Sequence, residues 1–567
     1  MASYEYELPN KADFEDLIDA FTRYGVGSDK TVLDSTYAAI LDGTNTTAVF
    51  KNWWPLSANG SDSKYERLSR FARMMASAWS DKQYTLRYYN QSVSSSSVMT
   101  PMDDLSGLSA AQLCTEETTP VTDWADEDPM TWYVRANALS LADGTMNVLA
   151  VEGVDSTFDI YGNTAPVYTF CAALWIREWS EGDYEYKSWR MTHAGGYHPY
   201  GGDVGPNNQK RDLTWRPTFP GGYDSLGRLG SGKDQKPFNR RSANQGIASA
   251  RTVTAYEGLW NDADAIWALD MWQLRHWNLE NTGICPGCAS YNYQYYAAVS
   301  ETGATRVLMT SANAAYYQVG SNVQIGDSTA TDRNTAATYA LADNATILSK
   351  EEVTVDGTTY VALNLDLASG IDVTAGTTRV HTAPWNAGNT ELLPDRKDGC
   401  CYNLTAGRNP LRVQGVEMMA GAYDIGLDPL YNVTNYNSTS KTMDYEVFEC
   451  RDSEDLAASI TSDYVSTGIT FIGIANGWDY VKKFVRTKLA VLFPEVVGGS
   501  TSTYYKSGFY GTGSAGVQCP WRCGLLYDGA YAGLACGGGS DPPGSASWSG
   551  RPRLCGSGKK RGEWAGA

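Results

Sequence analysis

Residues 521–554 read WRCGLLYDGAYAGLACGGGSDPPGSASWSGRPRL, and this stretch decides which fold the chain is expected to have. Between Arg522 and Ser547 it has no Lys, Glu, Gln, Met or Trp, although the rest of the chain uses all five. Fixed-looking residues alternate there with positions that hold a mixture of Cys, Tyr, Asp, Ser, Pro and Ala. A Gly- and Ser-rich tail would explain the composition alone, whereas the alternation indicates a fixed scaffold that carries variable side chains.

Two further blocks precede this stretch. Residues 408–425 read RNPLRVQGVEMMAGAYDI, and residues 471–480 read FIGIANGWDY. Together with the terminal block, their order resembles the C-type lectin domain, of the formylglycine-generating-enzyme type, in variable proteins of diversity-generating retroelements. In that family, mutagenesis of AAC-type codons yields Tyr, Cys, Ser, Gly, Asp, Pro, Ala or Arg, but never the five residues missing here. The resemblance covers residues 381–567, and it departs from the family at the weakened signature Gly421-Ala-Tyr-Asp-Ile and in a shorter variable stretch.

The resemblance implies a phage or prophage receptor-binding protein, at a tail fibre or tail tip, similar to phage tropism determinants. Its variable block, residues 510–554, would then present a diversified surface to a host-cell protein or glycan. Tyr527 and Tyr531 are the expected anchors, because Tyr buries a wide amphipathic area at low entropic cost. The predicted ligand-binding positions are Trp521, Cys523, Leu526, Tyr527, Tyr531, Cys536, Asp541, Ser545 and Ser547. The predicted scaffold positions are Gly524, Gly529, Gly533, Trp548 and Arg551.

A chain of 567 residues is long enough for several domains, each with its own core. We expect an α+β, multidomain fold. Residues 1–300 form a virion-attachment region of helices and β-hairpins, in one or two subdomains. Residues 301–380 form a small β-rich domain, and residues 381–567 form the C-type lectin-like domain. Since one small variable face binds weakly, a homotrimer or another symmetric oligomer is expected to raise the avidity.

Local patterns predict several elements of this fold. Helices are predicted after Asn10, with Phe14, Leu17, Ile18 and Phe21 on one face and Gly25 at the end, and through Leu68, Phe71, Met75 and Trp79. A third helix is capped by Asn261 with Asp264 and ends at Gly283. Tight hairpins are predicted at Asp143-Gly144 and Asp356-Gly357. Residues 167–179 are expected to form one long buried strand, and 195–250 a loop.

Composition excludes some classes of partner. The net charge of −19 argues against nucleic acid, whose affinity rests on Lys and Arg, and Lys559-Lys560-Arg561 is interpreted as a solvated tail. No apolar run is long enough for membrane insertion. No charged-then-apolar leader precedes Ser3, so we expect synthesis in the cytoplasm of a bacterial host and release in the virion.

The sequence predicts no catalytic residue, no metal site and no cofactor. Eleven cysteines, an odd number, do not indicate a disulfide framework. Cys519, Cys523, Cys536 and Cys555 match zinc spacing loosely. Residues 285–288, CPGC, are interpreted as a loop after a helix, with redox chemistry as a minor alternative. Asp262, Asp264 and Asp270 give only faint calcium spacing, and helix capping explains the first two better.

Two rival functions remain at this stage. Aromatic residues make up 12% of the chain, which favours a carbohydrate-active enzyme or a glycan-binding module. The other rival is a virion structural protein whose lectin-like end only decorates the particle.

Overall fold

The structure, a computed structural model, describes residues 30–43, 45–57, 62–115, 117–118, 122–394, 397–401, 409–486, 492–556 and 564. The helix predicted after Asn10, the basic triplet at 559–561 and Arg408 lie outside these residues. The described α-helices are α1 (Lys30–Leu41), α2 (Thr46–Trp53), α3 (Lys64–Ala78), α4 (Trp124–Glu127), α5 (Ala243–Ala250), α6 (Asp262–His276) and α7 (Ser311–Ala314). Short 3-10 turns include Gly201–Asp203, Asn389–Leu392 and Gly529–Tyr531.

Strands supply most of the regular structure, so the fold is mostly β where α+β was expected. In chain order the strands are β1 (Tyr84–Tyr89), β2 (Thr100–Asp103), β3 (Cys114–Thr115), β4 (Tyr133–Ser140), β5 (Met146–Val151), β6 (Val167–Ala172), β7 (Trp175–Glu181), β8 (Tyr184–Arg190), β9 (His198–Pro199), β10 (Leu213–Pro217), β11 (Gly222–Tyr223), β12 (Leu229–Gly230), β13 (Gly258–Leu259), β14 (Gln294–Tyr296), β15 (Glu301–Ala304), β16 (Arg306–Met309), β17 (Asn322–Asp327) and β18 (Ala342–Val355). They continue with β19 (Thr358–Leu365), β20 (Ile371–Val373), β21 (Thr378–Ala383), β22 (Gly399–Cys400), β23 (Leu411–Val413), β24 (Val416–Met418), β25 (Tyr423–Ile425), β26 (Leu430–Asn437), β27 (Thr442–Cys450), β28 (Tyr464–Ile474), β29 (Gly477–Arg486), β30 (Leu492–Val497), β31 (Gly508–Gly511), β32 (Gly516–Arg522), β33 (Gly537–Asp541), β34 (Gly550–Pro552) and β35 (Leu554–Cys555).

The largest sheet has ten strands and is barrel-like. Its main path runs β28-β27-β26-β32-β33-β31-β29-β30, and β25 joins β32 to β34. The other large sheets are β2-β1-β8-β7-β9, β10-β6-β4-β5 and β14-β21-β17-β18-β19-β16. The ten-stranded sheet therefore contains most of the strands of the variable block.

Helix α6 lies in the middle of the main core, and all of its side chains are buried. The predicted cap is confirmed, because the Asn261 side chain accepts a hydrogen bond from the Asp264 amide and the Asp264 carboxylate accepts one from the Asn261 amide. The predicted end at Gly283 is wrong. The helix stops at His276, because Trp277 adopts a left-handed conformation (φ 53°) and caps it.

The main core is shared by residues of the first and third expected domains, and none of its residues lies within 301–380. It extends from Ile40 in α1 to Leu554 in β35. Strand β35 pairs with β13, and β22 pairs with β3, so residues of the expected first and third domains share sheets as well as side-chain packing. Residues 297–380 form a second core of their own, which β14 and β21 close by pairing with each other.

Other local predictions are confirmed or corrected. The hairpins at Asp143-Gly144 and Asp356-Gly357 are present as β4–β5 and β18–β19, and α3 covers the second predicted helix. The single strand expected at 167–179 is two strands, β6 and β7, which belong to different sheets. The chain leaves the sheet of β6 after Ala173, whose amide donates a hydrogen bond to the Asp212 carbonyl. The expected loop at 195–250 contains β10 and α5.

Candidate functional site

The variable block folds into β32, the 3-10 turn Gly529–Tyr531 and β33 to β35. Five of the nine predicted ligand-binding residues are buried, which corrects their assignment to an exposed face. Their side chains have little or no contact with solvent. The five are Trp521, Cys523, Leu526, Cys536 and Ser547. The remaining four are accessible: Tyr527 is 52% exposed, and Tyr531, Asp541 and Ser545 are half-buried.

An aromatic cluster gives the accessible part of the block its shape. It consists of Trp478 and Tyr480 in β29, Tyr510 in β31 and Tyr531 in the 3-10 turn, all half-buried. The Tyr531 ring stacks on Trp478 at 4.7 Å and on Tyr480 at 4.6 Å, with interplanar angles of 15° and 21°. The Tyr510 ring lies 5.3 Å from that of Trp478. Four ring systems thus form one partly exposed apolar surface.

The sequence explains why these rings come together. Trp478 and Tyr480 alternate along β29, so both point to the same side of the strand. Gly508, in the neighbouring β31, has no side chain to block them, since a Cβ there would lie 2.5 Å from the Trp478 ring and 2.9 Å from that of Tyr531. A larger residue at 508 would therefore push the rings apart.

A second accessible tyrosine, Tyr527, lies beside the buried Trp548, with the ring centres 6.0 Å apart. The next residue, Asp528, is buried and accepts hydrogen bonds from the Tyr423 hydroxyl and from the Leu525 amide at 2.8 Å. Burial raises the pKa of Asp528 to about 6. The turn that presents Tyr527 is thus held by a carboxyl group that titrates in mildly acidic solution.

The predicted scaffold residues lie beneath this surface. Trp548 and Arg551 are buried, and the Arg333 guanidinium lies 4.3 Å from the centre of the Trp548 ring. Burial lowers the pKa of Arg551 to about 10. Gly524 adopts φ +98°, and a Cβ at this position would lie 2.6 Å from that of Ala532, so only glycine fits there. Gly529 and Gly533 also have positive φ.

Contacts to distant segments of the chain hold the buried side of the variable block in place. The Arg522 guanidinium donates two hydrogen bonds to the Asp262 carboxylate at the start of α6, at 2.9 and 2.7 Å. Asn334, from the second core's segment, donates to the Ser547 hydroxyl at 3.1 Å and accepts from the Trp548 amide at 3.2 Å. The two expected domains on either side of residue 381 therefore support one surface.

The cysteines do not form a metal centre in the part of the chain that the structure describes, where no group of His, Cys, Asp and Glu could hold a metal ion. Cys519, Cys523, Cys536 and Cys555 are buried thiols outside the disulfide. Burial raises the pKa of Cys519, Cys523 and Cys536, which keeps these thiols protonated and unreactive.

One disulfide is present, although the cysteine count did not indicate a disulfide framework. Cys285, in the CPGC loop after α6, is bonded to Cys400 in β22. The other cysteine of that loop, Cys288, is buried and is not part of the disulfide. The motif therefore ties the loop to a distant strand instead of forming its own redox pair.

The aspartates of α6 have basic partners in place of calcium. Asp262 pairs with Arg522, and the Asp264 carboxylate lies 2.6 Å from Arg216 Nε. Asp270 pairs with Lys187 at 2.5 Å and with Arg486 at 2.8 Å.

Sequence reasoning missed three of the four cluster residues, Trp478, Tyr480 and Tyr510. The alternation of Trp478 and Tyr480 within a strand pattern was a signal that could have found the first two. Tyr510 lies within the expected variable block, but only its pairing across from Trp478 brings it to the cluster.

Among the described residues, no helix has both the length and the apolar character needed to cross a membrane. No protein-family model matches the chain, and no curated protein matches it.

Proposed function

We propose that this chain is a receptor-binding protein of a phage or prophage, located in the virion at a tail fibre or tail tip. Its ligand surface consists of the aromatic cluster together with the accessible residues of the variable block. The partner is a protein or glycan on the surface of the host cell. The C-type lectin assignment and the diversification of residues 510–554 belong to the same proposal.

One observation supports this proposal. A partly exposed set of stacked rings lies on a scaffold of buried residues, several of which are joined by hydrogen bonds and ion pairs. Aromatic residues dominate the energy of binding surfaces, because each removes a wide area from water while few rotors become fixed. The scaffold positions tolerate little change, whereas the accessible positions Tyr527, Asp541 and Ser545 can change with little effect on the packing. This combination suits a surface that must vary its ligand while it keeps its fold.

A glycan-binding module is the second candidate. The rings of Trp478, Tyr531 and Tyr480 are close to parallel, and a flat aromatic face suits the apolar face of a sugar ring. A protein receptor would be expected to engage Tyr527 and Asp541 as well. Turnover of the glycan, rather than binding alone, would favour an enzyme.

The test measures adsorption of the purified full-length chain to a panel of bacterial cells, followed by the variant Tyr531→Ala. We expect Kd to rise at least tenfold, about 1.4 kcal/mol, because the ring that bridges Trp478 and Tyr480 is lost. Tyr436→Ala is the matched control, since Tyr436 is 50% exposed and lies on β26, outside the cluster. Equal binding by both variants would remove the cluster from the ligand surface.

Three further observations test the wider proposal. An adenine-rich near-copy of the codons for residues 510–554, beside a reverse-transcriptase gene, would support diversification. Sedimentation of the protein as a trimer would support the avidity argument, and a monomer at micromolar concentration would contradict it. Particles that lack residues 510–554 but adsorb normally would instead favour a structural or decorating role.

A further inference from the structure

A cleft lies between the segment that precedes α5 and the start of β18. Its volume is about 410 Å³, within the range of roughly 300–1,000 Å³ that is usual for ligand pockets, so it has room for a small organic molecule. Three of its lining side chains are cationic, Lys236, Arg240 and Arg241, and one is a carboxylate, Asp343. The other four lining residues are uncharged. We call this feature the basic cleft.

Two buried asparagines join the walls of the basic cleft. The Asn344 side chain donates a hydrogen bond to the Asn239 side chain at 2.8 Å. Asn239 Nδ2 in turn donates to the Trp548 carbonyl at 3.2 Å, and the backbone amide of Arg240 donates to the Ser547 carbonyl at 2.9 Å. The folded protein therefore holds both walls in place without a ligand.

The carboxylates beside the basic cleft are already engaged. Asp343 accepts a hydrogen bond at each of its oxygens, from Arg240 Nε at 2.7 Å and from Gln324 Nε2 at 2.8 Å. Asp366, which lies beside the cleft, pairs with Lys236 at 2.8 Å. Since three cations meet these two carboxylates, the cleft keeps an excess of one positive charge.

Arg241 supplies the excess charge. Among the residues that the structure describes, it forms no ion pair, and its hydrogen bond from Nε to the Tyr223 hydroxyl at 3.1 Å leaves both terminal nitrogens of the guanidinium without an acceptor. The Tyr223 hydroxyl accepts this bond, so it can still donate its own proton to a ligand. Arg241 and Tyr223 together thus offer unused donors at one end of the cleft.

Donors also remain on the other two cations. Arg240 uses Nε for its ion pair and one terminal nitrogen for the Arg333 carbonyl at 2.7 Å, so its other terminal nitrogen has no acceptor in the described part of the chain. Lys236 uses two of its three ammonium hydrogens, one for its ion pair and one for the Asn344 carbonyl at 3.0 Å. The unused hydrogens of the basic cleft therefore come from three cations and one tyrosine.

A turn of the backbone brings the two arginines to the same cleft. Arg240 has φ 55°, a left-handed conformation that residues other than glycine rarely adopt. Consecutive side chains of an extended strand point in opposite directions, and the conformation of Arg240 breaks that alternation. The Arg240 guanidinium also lies 3.5 Å from the centre of the Tyr339 ring, which restricts its movement.

These groups match an oxyanion. A guanidinium presents its N–H groups in a planar fork that binds two oxygens of a carboxylate or phosphate group. The excess positive charge disfavours a cation, and a neutral molecule would leave the free fork of Arg241 unused. Pro237 and the Tyr223 ring bound the rest of the volume, where the uncharged body of a small molecule fits.

We propose that the basic cleft binds a small organic anion through its carboxylate or phosphate group. Arg241 and Tyr223 hold this group, and the remaining donors of Lys236 and Arg240 lie beside it. No residue of the aromatic cluster lines the cleft, so this site does not depend on the receptor surface proposed above.

Calorimetric titration of the full-length chain tests this with three matched probes: glucose 6-phosphate, D-glucuronate and glucose. We expect at least one of the two anions to bind and glucose not to bind, and the tighter anion identifies the preferred group as phosphate or carboxylate. Arg241→Gln, which removes the charge, should weaken that anion at least tenfold. Tyr223→Phe, which removes one donor, should weaken it by a smaller factor.

Arg73→Gln is the matched control, because it removes the same charge from α3, where the Arg73 side chain is 52% exposed and outside the cleft. It should leave the affinity unchanged. Since Arg241 is exposed, Arg241→Gln should keep the melting temperature of the wild type, which shows that a loss of affinity does not come from unfolding. Three results would overturn the proposal: neither anion binds, glucose binds as tightly as the anions, or the two arginine variants weaken the anion equally.

Discussion

Glu257 is a carboxyl group that the interior keeps protonated well above its ordinary range. Its side chain is fully buried, accepts a hydrogen bond from the Tyr168 hydroxyl at 2.6 Å and accepts another from the Ser140 amide at 3.1 Å. Burial raises the pKa of Glu257 from 4.5 to about 7. The pKa of Glu257 is higher in the folded state than in the unfolded state. Glu257 therefore stabilises the fold fully below pH 4.5, and this stabilisation is lost as the pH rises through about 7.

The variant Glu257→Gln removes this titration and keeps one oxygen that can accept the hydrogen bond from the Ser140 amide, while its NH2 group can donate to the Tyr168 hydroxyl. We expect its free energy of unfolding, relative to the wild type, to rise between pH 5 and 8, by up to about 3 kcal/mol. Urea unfolding at several pH values measures the change. Glu495→Gln is the control, because the side chain of Glu495 is 44% exposed. If the difference in free energy of unfolding between Glu257→Gln and the wild type stays constant with pH, the raised pKa of Glu257 is contradicted.

Accessible and buried positions of the variable block should respond differently to substitution. Tyr527→Ser should change the free energy of unfolding by no more than about 0.5 kcal/mol, because Tyr527 is half exposed to solvent. Trp548→Ala should lower it by about 3–5 kcal/mol, because Trp548 is buried under Arg333. Thermal or urea unfolding compares the two. Equal losses would mean that Tyr527 belongs to the core.

At the scale of elements, α6 depends on partners from remote parts of the chain. Arg522→Ala should lower the free energy of unfolding by about 3–5 kcal/mol, because it leaves the buried Asp262 carboxylate without its counter-charge. The double variant with Asp262→Ala should recover part of this loss. Lys483→Ala is the control, since its ion pair with Glu495 is exposed and contributes within about 1 kcal/mol. If Arg522→Ala lowers the free energy of unfolding by an equally small amount, the buried pair of Arg522 and Asp262 does not stabilise the fold.

Sequence patterns predicted those elements whose signals are local. The cap of α6 and the turns at Asp143-Gly144 and Asp356-Gly357 depend on residues a few positions apart, and all three are present. The burial of Cys523 and Cys536 could not be predicted, because it depends on strands that pack over them from elsewhere. The hydrogen bond from Arg522 to Asp262 could not be predicted either, because the two residues are 260 positions apart in the sequence. Composition therefore singled out residues 510–554 without showing which of their side chains face solvent.

At the scale of the whole molecule, the two cores predict opposite behaviour for two fragments. Residues 291–385 should fold alone, because they contain the whole of the second core and its closing strands β14 and β21. Residues 381–567 should not, although a lectin domain was expected there, because they lack β13 and the Asp262 carboxylate. Limited proteolysis and circular dichroism of the two fragments measure this. A cooperative melting transition for 381–567 would contradict the shared core.

The pairing of β35 with β13 also has a consequence for biosynthesis. A ribosome makes β13 and α6 some three hundred residues before β35, roughly 15–60 s earlier at ordinary rates of translation. During that interval Asp262 lacks its partner Arg522 and β13 lacks its partner strand, so the apolar face that β35 covers stays accessible to chaperones and proteases. A nonsense mutation shortly before Leu554 should therefore yield a chain that is degraded rather than one that is merely shorter.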